Sequence, residues 1–130
     1  MPLFEQHENT LSALFKDCTS RYEQIELICL ATTDGFPVQV YSKPGLDVEA
    51  DTISAASGTL FSVSNAISQQ ILKHPFRVSF IESEGANVAF VTIYGKDADF
   101  VLCMSASEEL SIAHLRITIN RLATEIAKLA

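Results

Sequence analysis

Charged residues are missing from one long stretch of this chain. They make up 19% of the sequence, so about four would be expected among the 21 positions between Asp51 and Lys73, where there are none. A surface helix normally carries its charges on the side that faces water. A segment without such a side is expected to be covered by protein, either within its own domain or by a partner.

Long apolar runs and an excess of basic residues are also absent. No run approaches the roughly 18 apolar residues of a membrane helix, and Met1–His7 lacks the basic and apolar parts of a signal peptide. The net charge of −7 disfavours nucleic acids and anionic membranes, which would repel the chain. We therefore predict one cytoplasmic domain, residues 1–130, with no membrane span and no nucleic-acid partner.

Residues that carry chemistry are few and scattered. The cysteines are odd in number and set in separate apolar patterns, which favours reduced thiols in a core: they are Cys18, Cys29 and Cys103. The histidines fall in different segments without a second ligand at metal spacing: they are His7, His74 and His114. No serine lies in a nucleophile-elbow motif. We predict no catalytic residue, no metal site and no cofactor.

Read as a helix, the uncharged segment has three faces. An apolar face, predicted to pack in the core, comprises Ile53, Ala56, Leu60, Val63, Ile67 and Ile71. A second face, mostly small and polar, would let another backbone come close and comprises Ser54, Gly58, Phe61, Asn65, Ser68 and Leu72. The third face is polar without charge and comprises Ala55, Thr59, Ser62, Ala66 and Gln69. The last two faces indicate protein contact, although burial within one domain is the alternative.

The remaining patterns complete an α+β chain. Helical spacing of apolar residues predicts a helix at each end, and alternation predicts two strands before the uncharged helix and three after it. The predicted segments are Leu3–Tyr22, Ile25–Thr32, Val38–Tyr41, Phe76–Ser83, Val88–Tyr94, Phe100–Met104 and a final helix that opens at Ser107. The order α-ββ-α-βββ-α predicts a three-layer α/β/α sandwich around a five-stranded antiparallel sheet, with the uncharged helix alone on one face.

Several of these segments together resemble the Roadblock family, named for a dynein light chain. The resemblance is carried by Asp34-Gly35-Phe36-Pro37-Val38, Ala55-Ala56, Gly58, Leu60-Phe61, the strand pair from Val88 to Met104, and Leu115-Arg116. Bacterial members of that family act on Ras-like GTPases. The resemblance implies a Roadblock/profilin-like fold and a non-catalytic homodimeric module that regulates or scaffolds a small Ras-like GTPase.

The resemblance also implies which residues make contacts. Family members pair the central helix with its twin and join the following strand edge to edge. In this chain the implied dimer contacts are Ser54, Gly58, Phe61, Asn65, Ser68, Leu72, Phe76, Arg77 and Val78. The implied contacts to a GTPase are Ala55, Thr59, Ser62 and Gln69. Arg77 is interpreted as a strand or dimer-rim residue in preference to one that reaches a nucleotide.

A small-molecule sensor of the PAS or profilin-like type is the alternative function. It requires a pocket into which a few polar groups converge. Asn65 and Tyr94 are the obvious candidates for such groups.

Overall fold

Three helices and five strands account for the part of the chain that the computed structural model describes, residues 6–130. In chain order they are α1 (Glu8–Arg21), β1 (Ile25–Thr32), β2 (Pro37–Ser42), α2 (Ala50–Leu72), β3 (Val78–Glu82), β4 (Ala86–Tyr94), β5 (Asp99–Ser107) and α3 (Ile112–Ala127). The predicted order α-ββ-α-βββ-α is confirmed. The beginning of the predicted first helix, Leu3–Glu5, lies outside the described residues.

The strands form one antiparallel sheet in the order β2-β1-β5-β4-β3. β5 lies in the centre, and its residues from Phe100 to Met104 are buried because helices cover both of its faces. β3 lies at one edge, where it pairs with β4 from Val78, opposite Val91, to Glu82, opposite Asn87. β3, β4 and β5 follow one another as a meander, and the last of the three is the central strand.

The helices cover the sheet as predicted, two on one face and one on the other. α1 and α3 pack on the first face, where Leu11, Phe15 and Ile119 contact a cluster of apolar strand residues. α2 lies on the second face, over a smaller cluster that includes Leu27, Cys29, Phe76, Phe90, Val101 and Cys103. The three-layer α/β/α sandwich is confirmed.

The beginning of α3 differs from the sequence prediction. Ser111 is its N-cap, and the Ser111 hydroxyl accepts a hydrogen bond of 3.1 Å from the backbone N–H of His114. The sequence pattern predicts that the helix opens at Ser107, but Ser107 ends β5 and pairs with Ala86. The sheet therefore extends further than the apolar run Phe100–Met104 indicated, because small residues such as Ala106 continue it.

Candidate functional site

The side of α2 that faces the sheet is its small, polar face. Ser54 and Ser57 are fully buried. Gly58, also buried, lies against Gly35 in the turn of the β1–β2 hairpin. A Cβ added at Gly58 would lie 2.9 Å from the Cα and the N of Gly35, closer than such atoms approach. Gly35 itself has a φ of +98°, which an L side chain rarely adopts. Two glycines thus allow the hairpin and the helix to touch backbone to backbone.

Hydrogen bonds satisfy the polar groups on this buried side. The Ser57 hydroxyl donates to the carbonyl oxygen of Ile53 at 2.8 Å, and the Ser54 hydroxyl lies 3.4 Å from the Cys29 thiol. Further along the helix, the Ser79 hydroxyl on β3 donates to Ser64 at 3.2 Å. Because each hydroxyl has a partner, small polar residues can face an apolar sheet without a large desolvation penalty.

Phe76, just before β3, is fixed from two sides. Its backbone N–H donates to Asn65 Oδ1 at 3.1 Å, and its carbonyl oxygen accepts from the Tyr94 hydroxyl at 2.9 Å. Its ring meets that of Phe61 edge to face, with centroids 6.1 Å apart. Asn65 and Tyr94, the two groups proposed for a ligand pocket, therefore both hold one backbone segment in place. Tyr94 also lines a groove, but Asn65 is not among the residues that line it.

These contacts correct part of the predicted dimer surface. Ser54, Gly58 and Phe76 are buried inside a single chain, so they are not available to a second copy. Phe61, Asn65 and Ser68 are half-buried and directed toward their own chain. Of the nine residues, Leu72 and Arg77 are exposed, and Val78 is half-buried against the core.

The apolar face predicted for the core is largely exposed instead. Val63 and Ile67 are each 54% exposed, and Ile71 is 71% exposed; we call these three residues the outer stripe. Ala56 is exposed as well, and Ile53 and Leu60 alone pack partly against the core. The sheet already supplies large side chains on this face, so the helix fits closely only with its small residues inward.

The outer stripe borders the open edge of the sheet. A groove of about 730 Å³ runs between the C-terminal half of α2 and β3, and Ile67, Ile71 and Leu72 line its helix side. Phe76, Arg77 and Val78 line the other side. β3 has no partner strand on its outer side among the described residues. An exposed apolar helix face and an unpaired strand edge thus lie next to each other.

The third face of α2 carries the residues predicted to contact a GTPase. Ala55, Thr59, Ser62 and Gln69 are all exposed on it. Sequence reasoning missed a neighbouring aromatic residue: Phe36 is 65% exposed, and it follows Gly35, which lies against Ala55. The available signal was a phenylalanine between a turn glycine and Pro37, where a buried side chain is not expected.

The cysteines are reduced and buried, as predicted. Cys29 on β1 lies opposite Cys103 on β5 in the strand register, and burial raises the pKa of both thiols. Burial also raises the pKa of Cys18 to about 11, with the charge of Asp17 adding to the effect. All three groups are therefore protonated at neutral pH and poor nucleophiles.

We expect Cys103→Ser to lower the free energy of unfolding by about 1–2 kcal/mol, because it places a more polar group in an apolar cluster. Chemical denaturation of the variant measures this loss. Oligomeric mass and partner binding should not change, since Cys103 is fully buried beneath α2. A variant of normal stability that failed to bind a partner would contradict the structural role assigned to this thiol.

Residues 6–130 contain no group of three or more metal-ligating side chains and no helix long and apolar enough to cross a membrane. His74 is exposed at the end of α2, whereas the His114 ring packs edge to face on Tyr22 with centroids 5.3 Å apart. His7 directly precedes α1. The three histidines thus occupy separate positions.

The layers, the strand order and the single long helix on one face define the Roadblock fold. Three similar solved structures are MglB in a tetrameric arrangement, MglB of Myxococcus xanthus, and a Roadblock/LC7 domain from Streptomyces avermitilis. The first has a TM-score of 0.80 at 12% identity and covers 94% of this chain and 88% of its own. The second has a TM-score of 0.79 at 12% identity, with 92% and 94% covered. The third has 0.72 at 19% identity, with 85% and 89% covered.

No protein-family model matches the sequence, and no curated protein is significantly similar to it. At identities of 12–19% the structural likeness establishes the fold. The chain therefore has the Roadblock-family fold, as its sequence pattern predicted.

Proposed function

We propose that this protein is a non-catalytic homodimeric module that regulates or scaffolds a small Ras-like GTPase. The observation that carries the proposal is the outer stripe of α2 beside the open edge of β3. The fold supports it, since the family that the sequence resembles includes bacterial regulators of such GTPases, and two of the similar structures are MglB proteins.

The dimer proposed here uses the outer stripe in place of the small polar face. Two copies related by a two-fold axis would set Val63, Ile67 and Ile71 of one copy against the same residues of the other. The unpaired edges of the two β3 strands would lie close enough to join, which removes two exposed edges at once. The absence of charge from α2 favours such a contact, because like charges near a two-fold axis repel each other.

The GTPase is proposed to bind the third face of α2, with Phe36 at its border. Thr59, Ser62 and Gln69 offer uncharged hydrogen-bonding groups that are easily desolvated, and Ala55 adds a methyl group, but none of the four provides a large anchor. An exposed aromatic ring supplies the kind of anchor that dominates binding energy in protein interfaces. Phe36 fills this role on a surface that is otherwise small and polar.

Light scattering at several protein concentrations tests both parts of the proposal. We expect the mass of a dimer, and a larger complex with a Ras-like GTPase loaded with a GTP analogue but not with GDP. Phe36→Ala should weaken that complex by about tenfold without changing the dimer. Leu46→Ala, which removes another exposed loop side chain, is the matched control and should bind normally.

A monomer at all concentrations would contradict the dimer, and equal binding by the two alanine variants would remove Phe36 from the contact. The small-molecule sensor has lost the residues that favoured it, since Asn65 and Tyr94 both bond to the backbone of Phe76.

A further inference from the structure

A second groove lies on the opposite face of the sheet from α2. It has a volume of about 870 Å³ and runs between α3 and the end of β4, beyond the last residue pair of β3 and β4. β3 pairs with β4 as far as Val91, whereas β4 continues to Tyr94. The segment that leads into β3 borders the groove at this end, where the Arg77 carbonyl oxygen accepts a hydrogen bond of 3.1 Å from the backbone N–H of Thr92.

The groove is positively charged in an otherwise acidic protein. Arg77, Arg116 and His74 line it, and no aspartate or glutamate among the described residues 6–130 does, although the chain carries a net charge of −7. The ion pairs among residues 6–130 join Arg21 to Asp17 and Lys128 to Glu125. Neither groove arginine therefore has a carboxylate partner within the described chain.

The shape of the groove is that of an open trough. Along α3 it extends from Arg116 to Ala127, a distance of about 16 Å at 1.5 Å per residue. That length matches about five residues of extended peptide at roughly 3.3 Å each. The exposed side chains of Pro75 and Tyr94 and the half-buried Val78 provide apolar surface on the strand side. Asn120 and Thr124 follow Arg116 at one-turn intervals and add neutral polar groups along the helix side.

We propose that this groove binds a short, extended acidic segment of a partner protein, whose carboxylates pair with Arg116 and Arg77 and whose apolar side chains meet the strand side. Guanidinium groups suit carboxylates because they can form two parallel hydrogen bonds. An apolar wall in addition to the cations favours a peptide over a free anion, which would gain nothing from it. This site shares His74, Pro75, Arg77 and Val78 with the groove beside the outer stripe, and it includes none of the proposed GTPase contacts.

The test measures, by fluorescence anisotropy, the binding of a fluorescein-labelled ten-residue peptide of alternating glutamate and leucine to the full chain. We expect binding that weakens as salt screens the charges, and no binding of the same peptide with glutamine in place of glutamate. Arg116→Glu should weaken binding by about tenfold. Arg121→Glu adds the same negative charge to the same helix, but Arg121 lines a different groove, between α1 and α3, and should change affinity less than twofold.

Circular dichroism and light scattering show whether each variant is folded and has the mass of the parent, so that a loss of peptide affinity can be assigned to the groove. Arg116 is exposed, so the variant is expected to fold and to keep the mass of the parent. Failure of the proposed dimer would appear as a changed mass of the unmodified protein, independently of peptide affinity. Equal loss in the two variants, equal binding of the glutamine peptide, or displacement of the peptide by inorganic phosphate at similar concentration would each overturn the proposal.

Discussion

Ile67→Glu is expected to convert the dimer into a folded monomer. Ile67 is 54% exposed in the single chain and lies in the middle of the outer stripe, so its replacement leaves the core intact. Burial of an isoleucine side chain contributes about 1.5–3 kcal/mol, and a two-fold interface contains it twice. With the added repulsion of two carboxylates, the dissociation constant should rise by at least about a hundredfold. Light scattering across a dilution series measures the change.

Gln69→Glu is the matched control for this variant. It places a carboxylate on the same helix two residues later, about 200° away around the helix axis, on the third face. We expect this variant to stay dimeric. Equal effects of the two substitutions would mean that added charge alone disrupts the assembly, and an unchanged mass for Ile67→Glu would exclude the outer stripe from the interface.

Gly58→Ala is expected to destabilise the fold although alanine is the better helix former. The helix itself would gain about 0.5–1 kcal/mol from the substitution. The new methyl group, however, would sit 2.9 Å from backbone atoms of Gly35 and 3.1 Å from the carbonyl oxygen of Thr33, which cannot rotate away as a side chain would. Overpacking of this kind costs about 1–3 kcal/mol, so we expect a net loss of stability. Gly58→Glu should prevent folding.

Thermal and urea denaturation distinguish this effect from one on the dimer. Ser62→Ala, four residues further along α2 and exposed, is expected to change stability by less than about 0.5 kcal/mol. A Gly58→Ala protein as stable as its parent would show that the hairpin can move away from the helix. A stable, monomeric Gly58→Glu protein would restore Gly58 to the dimer surface.

The sequence was a good guide to the elements and a poor guide to the orientation of α2. Period-two and period-3.6 patterns are local, so strands and helices, their order and the layers could be predicted. The ends of β5 and α3 could not, because small residues such as Ala106 continue a strand without an apolar signal. The direction in which each face of α2 points depends on what lies beneath it.

Two of the three faces of α2 could have faced inward. The usual rule, that the more apolar face of a helix packs in the core, selected the wrong one. The rule failed because Leu27, Phe76 and Phe90 already fill that side of the sheet, and the helix can approach only with Ser54, Ser57 and Gly58 inward. The pairing of Gly58 with Gly35 was the decisive contact, and it joins residues too far apart in sequence for a periodic pattern to reveal. The groove beside α3 was missed for the same reason, since Arg77 and Arg116 belong to distant segments.

The double attachment of Phe76 has a mechanical consequence. Asn65 belongs to α2 and Tyr94 to β4, so the peptide groups on either side of Phe76 connect the helix layer of α2 to the sheet at this corner. The residues around it, from His74 to Val78, border both the groove beside the outer stripe and the groove beside α3. Displacement of this segment by a ligand on one face must alter the wall of the other. Any such coupling acts with equal strength in both directions.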